Sequence, residues 1–180
     1  MSLMAKKPQL DPLASAPAID IEAVLAKVSV FTEIRDNQEA FSVLYMLMDI
    51  RPYNAGDTII KEGEAGSDFF ILADGSASVY KTTQDGDVYK VAILDGSMGA
   101  FFGEGGLLES DTRTATIKAE TVCRCLVLSK ADFEQFCTQY PQWAMPIIKR
   151  VAQAVMKRLR NMNQDLALLY KALVDEFSHR

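Results

Sequence analysis

The sequence predicts a mainly β domain, a compact antiparallel barrel or jelly roll, set between short N-terminal helices and one long C-terminal helix. Three observations predict it. Between residues 52 and 128, short apolar runs alternate with Gly- and Asp-containing breaks. Asp85-Gly86 lies between two runs rich in Val, Tyr and Lys, a hairpin signal because such a turn needs positive φ. From Pro141 to about Phe177 no glycine interrupts the chain, and Pro146 is the one proline inside that run.

The elements follow in order. Prolines at positions 8, 12 and 17 sit among Ala, Ser and Asp, so residues 1–17 read as a flexible lead-in, with Met1 to Leu3 a cloning remnant. Asp20 is placed to cap a helix in which Ile21, Val24, Leu25 and Val28 recur at helical intervals. A second helix is predicted from Gln38 to Met48, ending before the Arg51-Pro52 pair. Gly56, Gly63, Gly66, Gly75 and Gly96 then punctuate the barrel at turn spacing. TATIKAETVCRCLVL supplies two further strands and puts Cys123 and Cys125 on one face. SKADFEQF starts a helix with a Ser cap, an acidic first turn and Phe133 and Phe136 three apart.

The last helix would be roughly 50 Å long at ~1.5 Å per residue, more than a small barrel covers. Its Leu159, Met162, Leu166, Leu169 and Leu173 alternate by 3 and 4, as a coiled-coil seam does. A homodimer through this helix is therefore expected, against the alternative of an amphipathic helix packed on its own barrel. The chain divides into the lead-in 1–17, a body 18–140 and a helix 141–180.

Composition removes several functions. With 19 Lys+Arg against 24 Asp+Glu, the net charge of −5 opposes broad nucleic-acid binding. An anionic ligand stays open, because one Arg in a dry pocket outweighs the average charge. No run approaches the ~18 apolar residues of a membrane span, and none at the N-terminus serves as a signal peptide. A cytoplasmic protein without membrane contact is expected. His179 is the one histidine and is next to last, so zinc catalysis and Ser-His or Cys-His chemistry lack a placed imidazole. Cys123, Cys125 and Cys137 read as reduced, packed thiols.

The segment that carries chemistry is FFGEGGLLESDTRTAT, from Phe101 to Thr116. Its glycines let the backbone approach a ligand closely. Gly105-Gly106-Leu107-Leu108 suits one helical turn whose free N–H groups face an anion. Nine residues after Glu104 comes Arg113, whose planar fork matches two phosphate oxygens. Glu104 suits a sugar hydroxyl, and an anion beside a hydroxyl describes a nucleotide. Taken singly, each residue has a plainer reading: Arg113 as a surface residue paired with Glu104 or Asp111, Gly105-Gly106 as a tight turn, Asp68 as a turn residue. The basic cluster Lys149, Arg150, Lys157, Arg158 and Arg160 reads as a solvated helix face.

FGE-x-x-LL-x-x-x-x-RTAT resembles the phosphate-binding cassette of cyclic-nucleotide-binding domains, found in cAMP- and cGMP-dependent kinases, cyclic-nucleotide-regulated channels and the bacterial catabolite activator. The resemblance covers roughly residues 25 to 160 and includes Gly56, Gly63, Gly66 with Asp68, and Gly75. It implies an eight-stranded antiparallel β-roll with flanking helices that binds a 3′,5′-cyclic nucleotide and needs no other cofactor. Carried over by position, Arg113 grips the exocyclic phosphate oxygens and Glu104 the ribose 2′-hydroxyl. The backbone N–H groups of Gly103, Gly106 and Thr114 line phosphate and sugar, and a lid falls at Val155, Arg158, Leu159 and Met162. Gly105 departs from the family, which usually has Leu, Met or Ile there. A second glycine softens the short helix by about 1 kcal/mol relative to Ala and removes an apolar contact, so weaker affinity is expected.

Thr114 offers a hydrogen bond to a guanine amino group in cGMP-preferring relatives, yet channels responding to cAMP carry a Thr there too. A bond of ~1 kcal/mol gives only several-fold preference, and cAMP, the commoner bacterial messenger, is the expected ligand. With no acid–base pair near Arg113, the expected function is a sensor and not an enzyme: the cyclic phosphate draws in the 103–113 turn and moves the helices after Ser129. DNA binding is not expected, since about 20 residues beyond Arg160 are too few for a helix-turn-helix. The rival reading is a ligand-free dimerisation scaffold with a degenerate pocket. The downstream effector is left open by the sequence.

Overall fold

The computed structural model describes residues 18–108 and 111–178; the lead-in expected over 1–17 and His179 lie outside the described residues. Helix α1 (Ile21–Lys27) starts at Asp20, whose carboxylate accepts the Ala23 N–H at 3.0 Å. A 3₁₀ segment, Ser29–Ile34, leads to α2 (Gln38–Met46), where Asn37 accepts the Ala40 N–H at 2.9 Å. Both caps satisfy N–H groups that the first helical turn leaves without a partner.

The chain then enters ten strands: β1 (Met48–Tyr53), β2 (Thr58–Ile60), β3 (Ala65–Gly66), β4 (Phe69–Asp74), β5 (Ser76–Thr82), β6 (Val88–Asp95), β7 (Phe101–Phe102), β8 (Asp111–Thr112), β9 (Thr116–Ala119) and β10 (Cys123–Leu128). Eight of them form two antiparallel four-stranded sheets, β1-β10-β4-β7 and β2-β9-β5-β6, and β3 pairs with β8 in a short ladder of its own. This is the expected eight-stranded roll with one added ladder. The second expected helix is shorter than predicted, because Met48 already belongs to β1 and Arg51-Pro52 lie inside that strand. Proline is a helix stop, but it is equally at home on an edge strand, where its missing N–H breaks no ladder. β1 is such an edge, paired on one side with β10.

Strands β4 and β10 explain why the roll holds helices. In β4, Phe69 and Ile71 face a core shared with α1, α2 and the C-terminal helices, while Phe70 and Leu72 face the space between the two sheets. In β10, Leu126 and Leu128 take the helical side; Cys123, Cys125 and Val127 take the other. A strand covered on both faces reads as one continuous apolar run, as FFIL and CLVL do. Burial pushes the Cys125 thiol up to about 12, so it packs as an inert apolar group. The β5–β6 hairpin closes at Gly86, with φ of +93° and a Thr83 N–H bond to the Asp87 carbonyl of 2.9 Å.

After the roll, α4 (Lys130–Gln139) is capped by the Ser129 hydroxyl, which accepts the Asp132 N–H. Helix α5 (Pro141–Ser178) has 38 residues and buries Ala144, Ile147 and Val151 against α4 and the Ser29–Ile34 segment. From Val155 to Ser178 every described residue of α5 is exposed, including the whole leucine seam. No helix among the described residues is long and apolar enough to cross a membrane.

Candidate functional site

The FGEGG segment turns sharply after β7. Gly103 has φ of +75°, and Gly105–Leu108 form the expected single helical turn, α3. Leu107 is buried in the helical core and anchors this turn, while Leu108 is exposed. Gly106 lies against the backbone of Ser67, where an added Cβ would stand 2.9 Å from its Cα. At Gly105 an added Cβ meets nothing within 4 Å, so the departure from the family leaves open space and no cavity wall.

Arg113 follows β8 and is fixed first by its backbone: its N–H donates to the Glu64 carbonyl at 2.8 Å, and its carbonyl accepts from the Gly63 N–H at 2.9 Å. Its guanidinium then enters a slot with glycine walls. A Cβ on Gly66 would stand 2.4 Å from Nε, and one on Gly103 2.9 Å from Nη1. Nη2 donates to the Asp68 carbonyl at 2.8 Å, Nη1 to the Gly103 carbonyl at 3.5 Å, and the fork sits 5.8 Å from the centre of the Phe70 ring. No carboxylate among the described residues pairs with it. Desolvation therefore dominates and lowers its pKa, with only partial relief from the more distant Asp68 and Glu104 charges. The plainer pairing of Arg113 with Glu104 is absent.

Asp68 does more than stabilise a turn. Its carboxylate accepts from Arg51 Nη1 at 2.8 Å while its carbonyl accepts from Arg113. Arg51, Asp68, Gly66, Phe70 and Arg113 also line a cavity of about 410 Å³. Sequence reasoning missed Arg51, read as part of a helix stop, and Phe70, because the unbroken apolar run FFIL does not say which of its side chains face the interior of the roll.

Glu104 is 7% exposed, and its partner comes from α5: Arg158 Nη1 donates to Oε1. Arg158 Nη2 also reaches the Phe101 carbonyl at 3.3 Å, with the guanidinium 5.4 Å from the centre of the Phe101 ring. Arg150 pairs with Glu33 at 2.8 Å. Two members of the basic cluster thus bind the body, which corrects its reading as a solvated face: the surface they reach is built by residues over fifty positions away. Of the expected lid residues, Arg158 is brought to the site, whereas Val155, Leu159 and Met162 stay exposed. Of the expected backbone donors, the Gly106 N–H already donates to the Gly103 carbonyl at 3.0 Å. Thr114 is exposed, and its carbonyl accepts from the Lys81 ammonium, a neighbour that no local pattern signals.

A family model described as the cyclic nucleotide-binding domain matches residues 50–140. Human cGMP-dependent protein kinase 2 is 40% identical over 89 residues, covering 49% of this chain and 12% of the kinase. The cAMP-dependent protein kinase regulatory subunit of Mycosarcoma maydis is 40% identical over 72 residues, 40% of this chain and 13% of that protein. The chain thus spans about an eighth of the length of these relatives. Among solved structures, the N-terminal domain of a transcriptional regulator from Streptomyces coelicolor A3(2) superposes with a TM-score of 0.66 at 26% identity, over 79% of this chain and 94% of that one. The matched span runs from β1 to the end of α4 and holds the glycine slot, Glu104 and Arg113 together; the chain belongs to the cyclic nucleotide-binding domain family.

Proposed function

We propose that this chain is a sensor for a 3′,5′-cyclic nucleotide, cAMP in preference to cGMP, that moves its C-terminal helix on binding and catalyses no reaction. The observation that carries the reading is the Arg113 guanidinium, half-buried, held by carbonyl oxygens and without a carboxylate partner among the described residues. A desolvated cation gains most from a small anion that fits its fork. Arg113 takes the exocyclic phosphate oxygens, and Glu104 accepts the ribose 2′-hydroxyl. The backbone at Gly103, Gly105, Gly106 and Thr114 surrounds phosphate and sugar. Because the Gly106 N–H already closes the turn onto Gly103, phosphate binding re-forms the turn and is felt at Leu107, where α3 meets the helical core. Val155, Arg158, Leu159 and Met162 then close over the base, and the ligand favours that arrangement through contacts it lacks in the other.

The exposed half of α5 favours a second copy as partner. Leu159, Met162, Leu166, Leu169 and Leu173 form one exposed seam with coiled-coil spacing. Calorimetry and thermal melts with cAMP and cGMP test the sensor. Ligand at a hundred times its Kd stabilises by about 2.7 kcal/mol, and cAMP is expected to reach that at the lower concentration. Light scattering is expected to give twice the 19.9 kDa protomer mass. A dimer whose melting temperature neither nucleotide raises would leave the dimerisation scaffold as the function.

A further inference from the structure

Glu104 and Arg158 pose a conflict that the sensor reading must resolve. The acceptor assigned to the ribose is one of the two buried polar or charged side chains described, and it is occupied by a side chain of the same protein. Arg158 is held there by three features at once: the Glu104 carboxylate, the Phe101 carbonyl and the face of the Phe101 ring. It lies two turns beyond Val151, the last buried residue of α5, on the stretch where every side chain is exposed. The Glu104 carboxylate is nearly dry and Arg158 takes its Oε1, so a ribose hydroxyl that needs that oxygen has to contest it with the arginine.

We propose that Arg158 is a tethered competitor for the ribose position and so sets how strongly the site prefers a 2′-hydroxyl. In the unliganded protein it satisfies Glu104 and holds α5 near α3. A ribonucleotide must displace it, and the same displacement frees α5 to move. A nucleotide lacking the 2′-hydroxyl binds at Arg113 without contesting Glu104 and leaves Arg158 in place. This rests on the assignment of Glu104 to the ribose and adds the regulation of that position.

The test is the ratio of affinities for cAMP and 2′-deoxy-cAMP, measured by calorimetry on the full chain as wild type and as Arg158→Ala. A contact that the displaced Arg158 makes with the base is gained with cAMP alone, so its loss in Arg158→Ala lowers the ratio, and a rise is seen only where the release of Glu104 outweighs it. Removing a competitor that occupies Glu104 most of the time raises the ratio about three- to thirty-fold, by the population argument for a partly occupied site. Arg158→Lys, which can keep the ion pair but not the second bond to Phe101, is expected to fall between. A ratio unchanged in Arg158→Ala, or one that falls because Arg158 positions Glu104, overturns the competitor while leaving the sensor standing. If wild type binds neither nucleotide, the sensor reading fails and takes the competitor with it.

Discussion

The α3 turn lies between two arginines that belong to different regions and are bound in opposite ways. Arg113 comes from the lip of the roll and docks on backbone carbonyls inside a glycine slot. Arg158 comes from the long helix and docks on a buried carboxylate. Carbonyl dipoles orient a guanidinium without neutralising it, whereas a carboxylate does both. On the proposed reading, the difference separates a charge left for an incoming anion from a contact that is already complete. It also separates two kinds of mobility: the roll fixes Arg113 through strand pairing and backbone bonds, while Arg158 extends from a helix with no buried residue beyond Val151.

The comparison breaks most sharply at Arg113. Arg113→Ala leaves a phosphate charge unpaired in a partly dry site and is expected to cost about 2–5 kcal/mol, roughly 30- to several-thousand-fold in affinity for cAMP. Calorimetry showing near-unchanged binding would move the phosphate elsewhere. Gly66→Ala is the subtler cut. Its methyl would meet the far end of the Arg113 side chain at 2.4 Å from Nε and not a rigid backbone, so the fold can absorb it by displacing the fork. Melting in the absence of ligand should therefore change little. Binding should weaken roughly ten- to a hundred-fold, the worth of a hydrogen bond or two to a charged group. A variant that melts much lower and binds normally would show the slot to be structural.

How much of this could be read in the chain depends on how far apart the partners lie. The turn, Glu104 and Arg113 fall within eleven residues, and glycines beside a lone strong cation carry their own chemistry. Asp85-Gly86, Ser129 and Pro141 likewise announce a hairpin, a cap and a helix start through local conformational demands. Arg51 did not, because proline punctuates helices and edge strands alike; only the pairing of β1 with β10 decides which. Gly66 reads from the sequence as a turn glycine, yet it lies in β3, and its reason for being glycine is a guanidinium from position 113. Arg158 was legible only through the resemblance, which placed it among the lid residues without its partner. On a helix whose neighbours are basic, a charged side chain reads as solvated until the tertiary fold places a buried carboxylate opposite it.

The smallest expected effect lies in the turn itself. The family resemblance assigns Gly105 a lost apolar contact; at the position itself an added Cβ meets nothing within 4 Å, so a methyl there changes conformational freedom alone. Its backbone does not lie in the left-handed region, so an alanine fits without strain. Gly105→Ala should then stabilise α3 by up to about 1 kcal/mol, through helix propensity and a less flexible unfolded chain. Gly105 adjoins Glu104, which holds Arg158, and the Gly103 carbonyl accepts from both Arg113 and the Gly106 N–H, so the gain measured in Arg113→Ala and Arg158→Ala backgrounds reads how far each arginine orders the turn. For the nucleotide, a turn already ordered lowers the cost of binding, so affinity should rise by a few-fold at most. A fall in melting temperature would mean that the space beside Gly105 is filled, which points to the closed position of α5 as the element that fills it.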